Sequence, residues 1–352
     1  MNGRKRLNLE DIAEKAGVSR STVSRVVNND PNVNEKTRAH VLMIIERERY
    51  TPNPAARIMV TKRTNVIGVV FPHTFQQFFN DPYYFPALLD GVNSTAHKQD
   101  YGMLLWVRHG GEDEGIFYRR ILQNRLMDGV LIASATTDTH LIQQLLDTNT
   151  PLAMVERPIA YEDRINYMTI DNGVAMHKVV AHLVKRGRRR IGVLAGAMDN
   201  MDGKERLVGF FEALKEHGLP YDPDLVAYGE FSRTRAREAT RHLLRRPGVR
   251  DRMDALVSCS DIMALGAYEA FEEAGVNIPE EIAVVGFDDL PTATQLKPML
   301  TTIRQPIRQK GESATRMLIE QIETGRAERH HDILSTELIV RDSCGKRRTA
   351  KH

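Results

Sequence analysis

Residues 9–28 read Leu9-Glu10-Asp11-Ile12-Ala13-Glu14-Lys15-Ala16-Gly17-Val18-Ser19-Arg20-Ser21-Thr22-Val23-Ser24-Arg25-Val26-Val27-Asn28. Asn8, just upstream, suits the cap of a helix, and Asp11 three residues on is placed to complete a capping box. Leu9, Ile12, Ala13 and Ala16 then recur at i, i+3, i+4 and i+7, the apolar stripe of a short helix. Gly17 is placed to end that helix in the left-handed conformation. Ser19 caps a second helix with Val23, Val26 and Val27 inward. A third, roughly Glu35 to Arg49, opens at Asn34 and turns Val41, Ile44 and Ile45 inward.

Two short helices around a tight glycine turn, braced by a third, form a helix-turn-helix. The second helix then offers Arg20, Ser21, Thr22, Ser24 and Arg25. A guanidinium can make two parallel hydrogen bonds to a guanine edge, and hydroxyls reach phosphates or bases. The same apolar spacing also suits a generic three-helix bundle, so spacing leaves DNA binding as the stronger of two readings. Charge favours it further: residues 1–65 carry thirteen Lys/Arg against seven Asp/Glu, while residues 66–352 carry 36 against 39. A basic N-terminal module on a slightly acidic body suggests that one end meets a polyanion.

The stretch from Leu9 to Asn28 closely resembles the headpiece of the lac repressor / galactose repressor family. In that family the residues matching Arg20, Ser21 and Arg25 read bases, those matching Thr22 and Ser24 hold the backbone, and Asn28 joins the DNA-binding set. The segment Tyr50-Thr51-Pro52-Asn53-Pro54-Ala55-Ala56-Arg57-Ile58-Met59 resembles the family's hinge. Asn53 is a good cap and Pro54 a good first helical residue. A helix from Pro54 to about Val60 is too short to be stable alone in water, so it is expected to form when two hinges pair on DNA. Asn53, Ala56 and Met59 are its DNA contacts by resemblance. Met59 stands where the family commonly places the leucine wedged into the minor groove.

From Asn65 onward, apolar runs of strand length alternate with amphipathic helix-length segments, which predicts parallel sheets covered on both faces. The strands are expected at 66–71, 103–107, 129–134, 152–156, 167–171, 191–196, 225–228, 255–260 and 282–288. Some 220 residues of such units exceed one small sheet, so two similar halves are expected. The family resemblance extends through this body, and Val284-Val285-Gly286-Phe287-Asp288-Asp289 is among its landmarks. It implies a periplasmic-binding-protein-like α/β body of two doubly wound parallel-sheet subdomains behind an all-α headpiece. The expected division is a headpiece at 1–50, a hinge at 51–63, a body at 64–343 and a basic tail at 344–352. Within the body, one half takes about 64–166 and 307–333, and the other about 167–306 and 334–343.

Such folds bind ligands beyond the carboxyl ends of their strands. Asp288 ends a strand, and its carboxylate can accept from two neighbouring sugar hydroxyls; Arg206 can donate two parallel bonds. Both match family effector contacts. Phe231, Tyr84 and Phe85 match aromatic positions, while Glu156, Asp202 and Ser260 occupy positions that touch effector in some relatives. Trp106, the single tryptophan, could face the same cleft or serve the core.

Other classes have less support. No nucleophile–base pair, phosphate loop or metal set rises above chance, so neither enzymatic activity nor a cofactor or metal is expected. His330-His331-Asp332 reads as an exposed loop, and Lys185-Arg186-Gly187-Arg188-Arg189-Arg190 as a solvated turn. Cys259 and Cys344 lack ligand spacing, and no secretory or membrane-spanning segment is read, which fits a reduced cytoplasm. A solute-binding protein would explain the body alone and would need export. The expectation is a transcription regulator, a repressor, acting as a homodimer on double-stranded operator DNA under a small-molecule effector. A sugar or sugar derivative is the expected effector. The alternative is a purine corepressor, for which one branch of the family uses a basic residue where this chain has Asn200.

Overall fold

In the computed structural model, which describes residues 7–28, 30–51, 58, 61–74, 81–109, 111–124, 126–134, 139–325 and 330–345, the chain divides after Asn65 into two units. The first holds Leu9–Ala16 (α1), Arg20–Val27 (α2) and Glu35–Arg47 (α3). Asn8 Oδ1 accepts from the Asp11 amide at 2.9 Å, and Asp11 Oδ2 accepts from the Asn8 amide at 2.8 Å. Gly17, at φ 63°, sends its N–H back to Ala13 and Glu14, as left-handed C-caps do. The three helices bury Ile12, Ala13, Ala16, Val23, Val26, Val41 and Ile44 together; Val27 and Ile45 are only half-buried. Tyr50, the last residue of the expected headpiece, closes this core. Each fully buried aliphatic side chain contributes roughly 1.5–3 kcal/mol, which a three-helix unit of this size needs.

The second unit carries two six-stranded sheets. Val66–Thr74 (β1), Tyr84–Lys98 (α4), Gly102–Arg108 (β2), Glu114–Gln123 (α5), Gly129–Ile132 (β3), His140–Asp147 (α6), Leu152–Val155 (β4) and Asn166–Ile170 (β5) build most of the first. The second takes Asn172–Lys185 (α7), Ile191–Ala195 (β6), Met201–Glu216 (α8), Val226–Tyr228 (β7), Arg233–Arg245 (α9), Val249–Arg252 (α10), Ala255–Ser258 (β8), Asp261–Glu273 (α11), Ala283–Asp288 (β9), Thr292–Gln295 (α12) and Thr301–Arg304 (β10). Ile307–Thr324 (α13) and His331–Leu334 (β11) return to the first sheet, and Glu337–Ile339 (β12) ends the second. The strand orders are β11-β5-β4-β3-β1-β2 and β12-β10-β9-β8-β6-β7. Every pairing is parallel except β12 on β10. Strands β3, β4, β5, β6, β8 and β9 are buried along their whole length, and most of their residues are apolar.

The structure moves several expected boundaries. β5 pairs with β4 and β11, so the chain leaves the first sheet after Ile170, and a boundary at 166/167 would cut a buried strand. Cys344 is fully buried against the second half, so the body extends past 343. His331 opens an edge strand and stacks on Tyr167 at 5.2 Å, where a loop was expected. Arg188 is not solvated: its guanidinium is buried and donates to the carbonyls of Asp254 at 2.9 Å, Glu281 at 3.2 Å and Pro279. A buried cation survives there because carbonyl dipoles replace its water.

Candidate functional site

On α2 the core-facing side chains are Val23 and Val26, which leaves Arg20, Ser21, Ser24, Arg25 and Asn28 along the other side. Ser19 Oγ accepts from the Thr22 amide at 3.1 Å and lies 2.7 Å from Ser21 Oγ and 2.9 Å from Thr22 Oγ1, which fixes the first turn. Asn28 Nδ2 donates to Ser24 Oγ at 3.4 Å. Arg20 and Arg25 expose 67% and 65% of their side chains; Arg20 meets Glu10 at 2.8 Å, and Arg25 is 3.9 Å from Asp30. Exposed pairs of this kind contribute at most about 1 kcal/mol, so either guanidinium can turn to a stronger partner. Asn53, Ala56 and Met59 lie outside the described residues, as does most of the hinge helix expected from Pro54 to about Val60.

In the body, the order of the first sheet reverses at β1 and that of the second at β6, and the crevice between the halves opens beyond these strand ends. Asp81, Tyr84, Phe85, Ser134 and Glu156 line it from the first half. Asn200, Asp202, Arg206, Phe231, Ser260 and Asp288 line it from the second. All eight residues singled out in the body by sequence therefore face one cavity. The volume open there to the centres of water molecules is about 90 Å³; one water needs about 10–15 Å³ by that measure. Trp106 is not among the residues that line it: the indole N–H points to Met127 Sδ at 3.1 Å, and the ring packs against the core cluster that contains Phe117 and Ile121.

Arg206 is 3% exposed and fixed from every side. Its Nε donates to Asn172 Oδ1 at 2.9 Å, Nη1 to the Cys259 carbonyl at 2.7 Å and Nη2 to Asp202 Oδ2 at 3.0 Å. Its Cζ lies 3.8 Å from the Phe287 ring centroid. Asp288 Oδ1 sits 3.7 Å from Arg206 Nη1 and accepts from Gln305 Nε2 at 2.5 Å. Burial pushes the Asp288 carboxyl up to about 7, against the pull of Arg206 and with the charge of Asp81 adding to it. Burial would raise Asp202 too, but Lys310 and Arg206 overcome it and hold that carboxyl below its usual range.

Several cavity residues have strained backbones. Glu156, Glu230, Phe231 and Asp288 have φ values of 77°, 51°, 53° and 120°. Non-glycine residues adopt such angles at a cost of about 1–3 kcal/mol each, and they concentrate at ligand sites. The Phe231 ring lies over Gly196, where a Cβ would come within 2.3 Å of it, so only glycine admits the aromatic wall.

Sequence reasoning missed the residue that closes the network. Lys310, on α13, is completely buried; Nζ donates to Tyr84 Oη at 3.1 Å and Gln305 Oε1 at 3.3 Å and lies 3.7 Å from Asp202. Lys310, Gln305, Asp288, Arg206 and Asp202 thus form a closed polar ring that ties the first half to the second. A second tie runs from Asn200 Nδ2 to Glu156 Oε2 at 3.1 Å and Ser134 Oγ at 3.2 Å. Lys310 was legible as a charge within the apolar stripe Ile307, Gly311, Ala314, Leu318. Asp81, Ser134 and Asn172 carried no such signal.

A helix-turn-helix unit joined in one chain to a two-lobed body with a polar cleft at its strand ends defines a ligand-controlled, DNA-binding transcription regulator. Residues 8–53 match the bacterial regulatory proteins of the lacI family, and residues 180–344 the periplasmic binding protein-like domain. The chain is 36% identical over 348 residues to the HTH-type transcriptional regulator CelR of Thermobifida fusca, covering 97% of itself and 100% of that relative. It is 31% identical over 339 residues to the HTH-type transcriptional repressor PurR of Aliivibrio salmonicida, with 96% and 99% covered. The chain belongs to the lacI family of transcription regulators. Among solved structures, a CelR–cellobiose complex superposes with a TM-score of 0.74 at 32% identity, over 96% of this chain and 100% of that one. The lac repressor dimer bound to operator and the anti-inducer ONPF gives 0.81 at 27%, over 97% and 100%. Among the described residues, no helix is long and apolar enough to cross a membrane.

Proposed function

We propose that this regulator is a cytoplasmic homodimeric repressor whose operator affinity is set by a sugar or sugar derivative in the body cleft. The observation that carries the ligand reading is the cavity wall itself: a fixed donor fork on Arg206, acceptors on Asp288 and Asp202, and the rings of Phe231, Tyr84 and Phe85. Sugars present hydroxyls that donate and accept at their edges and C–H groups on their faces, which suits polar groups between aromatic surfaces. The cellobiose complex of a relative supports the same class. Ser260 and Glu156 complete the polar rim. Arg20, Ser21 and Arg25 read bases, and Thr22, Ser24 and Asn28 position the backbone; Asn53, Ala56 and Met59 belong to the hinge contact. One headpiece reads one half-site, so two subunits meet a pseudo-palindrome, and the operator-bound dimer of the lac repressor supports that assembly.

Anisotropy titration of operator DNA with and without a panel of sugars and nucleobases tests this. A sugar should shift operator affinity, and Arg206→Ala or Asp288→Ala should abolish that shift, because a ligand moves an equilibrium only through differential contacts. A nucleobase active where all sugars are inert would replace the ligand class. Cleft variants with a normal response would remove the site, and a monomer by sedimentation velocity would remove the dimer.

A further inference from the structure

We infer that the cleft takes an uncharged effector and refuses one that carries a phosphate or carboxylate. The inference rests on the sugar reading of the site and adds its charge. Around the cavity stand the carboxyls of Asp81 and Glu156 from the first half and of Asp202, Glu230 and Asp288 from the second. Among the described lining residues Arg206 is the single cation, and three of its N–H directions are taken by Asn172, Cys259 and Asp202. Lys310 lies behind Tyr84, and its three donors are directed at Tyr84, Gln305 and Asp202. Both cations serve carboxylates already present.

The other anion receptors of such a fold are the helix N-termini that open at its strand ends. Here the protein fills them with its own acceptors. Asp81 Oδ1 takes the amides of Tyr83 and Tyr84 at 2.9 Å each, where α4 begins. Asn200 Oδ1 takes Gly203 N at 3.0 Å on α8, and Ser260 Oγ takes Met263 N at 3.3 Å on α11. Ser232 Oγ does the same for Arg235 N at 3.4 Å on α9. One of these caps is itself a carboxylate facing the cavity. Burial raises the Asp81 carboxyl, with no cation among the causes, and Asp81 adds to the rise of Asp288 against the pull of Arg206, as befits acids that outnumber the cations beside them. A phosphate entering this space would meet like charge on both walls, and such juxtaposition carries a heavy penalty.

Calorimetric titration of the full chain with matched pairs tests the inference: cellobiose against cellobionate and cellobiose 6-phosphate, and neutral monosaccharides against their 6-phosphates. The expected result is that a neutral sugar binds and its anionic partner binds about 100-fold more weakly or not at all, an affinity ratio of about 2.7 kcal/mol. Asp81→Asn keeps the capping oxygen but removes a charge, so it should narrow that ratio by about tenfold. An anionic sugar that binds within tenfold of its neutral parent, or more tightly, would overturn the inference and leave the sugar reading standing. An uncharged nucleobase that binds where sugars do not, with its nucleoside monophosphate at least 100-fold weaker, would overturn the sugar reading and uphold the charge rule.

Discussion

Lys310→Met isolates the worth of the buried ring. Methionine is unbranched and of similar volume, so the stem of the side chain is replaced with little cavity. What is lost is the ammonium and its bonds to Tyr84 and Gln305, together with its charge beside Asp202. Breaking a buried ion pair from one side typically costs about 3–5 kcal/mol, because the other charge is stranded. Here Asp202 keeps Arg206 and Asn172, both at 3.0 Å, so the cost should fall to about 2–4 kcal/mol. At roughly 2–4 °C per kcal/mol for a domain of this size, the melting temperature should drop by about 4–16 °C. Trp106 is the only tryptophan and sits in the body, so its fluorescence follows this transition without interference from the headpiece. The loss should be larger at pH 8 than at pH 5, because without Lys310 the burial of Asp202 is opposed by one cation fewer, and its carboxyl gains affinity for protons as pH falls. An unchanged melting temperature would refute the stabilising ring, and a loss equal at both pH values would mark a packing defect instead. Tyr84→Phe, alone and with Lys310→Met, should show coupling of at least about 0.5 kcal/mol.

Two further predictions concern the ends of the signalling path. Arg25→Ala should weaken specific operator binding by about 1–3 kcal/mol and relax preference at one base pair per half-site; equal losses on specific and random DNA, measured by anisotropy, would make Arg25 a phosphate contact. Asp288 has a folded-state pKa raised above its unfolded value, so its contribution to stability is complete below about pH 4 and is lost as pH rises to about 7. Asp288→Asn lacks that titration, so its stability relative to the parent should grow across this window and level off above it; a parallel pair of melting curves from pH 5 to pH 8 would contradict the assignment.

The ring also gives a physical route for regulation. Asp288 and Arg206 belong to the second half, Lys310 and Tyr84 to the first, and Gln305 lies on the crossing between them. A ligand that takes over the free acceptor capacity of Asp288 or Asp202 alters the same bonds that hold α13 and α4 of the first half. Population shift then requires only that these bonds differ in strength between two arrangements of the halves.

Sequence by itself determined the local grammar of this protein. Capping at Asn8 and Ser19, the turn at Gly17 and the 3.6-residue apolar stripes are short-range effects, so they fixed the helix-turn-helix and the outward set on α2. Fully buried parallel strands are rich in apolar residues, so the six of them, together with β1, β2 and β7, were visible within a few residues of their ends. The family motif then located eight cleft positions. Two edge strands were not visible: His331–Leu334 and Glu337–Ile339 are short and half-exposed and become strands only because β5 and β10 offer them partners, and β10 itself, Thr301–Arg304, was not expected either. The place where β5 belongs, and the burial of Arg188 and Cys344, depended on long-range pairing that no local pattern encodes. Tertiary structure alone decided the ring. A lysine on α13 and an aspartate on α8, more than a hundred residues apart, come together only because the chain crosses back to the first half between β10 and α13, and a buried cation is stable only where folding has already placed its counter-charges.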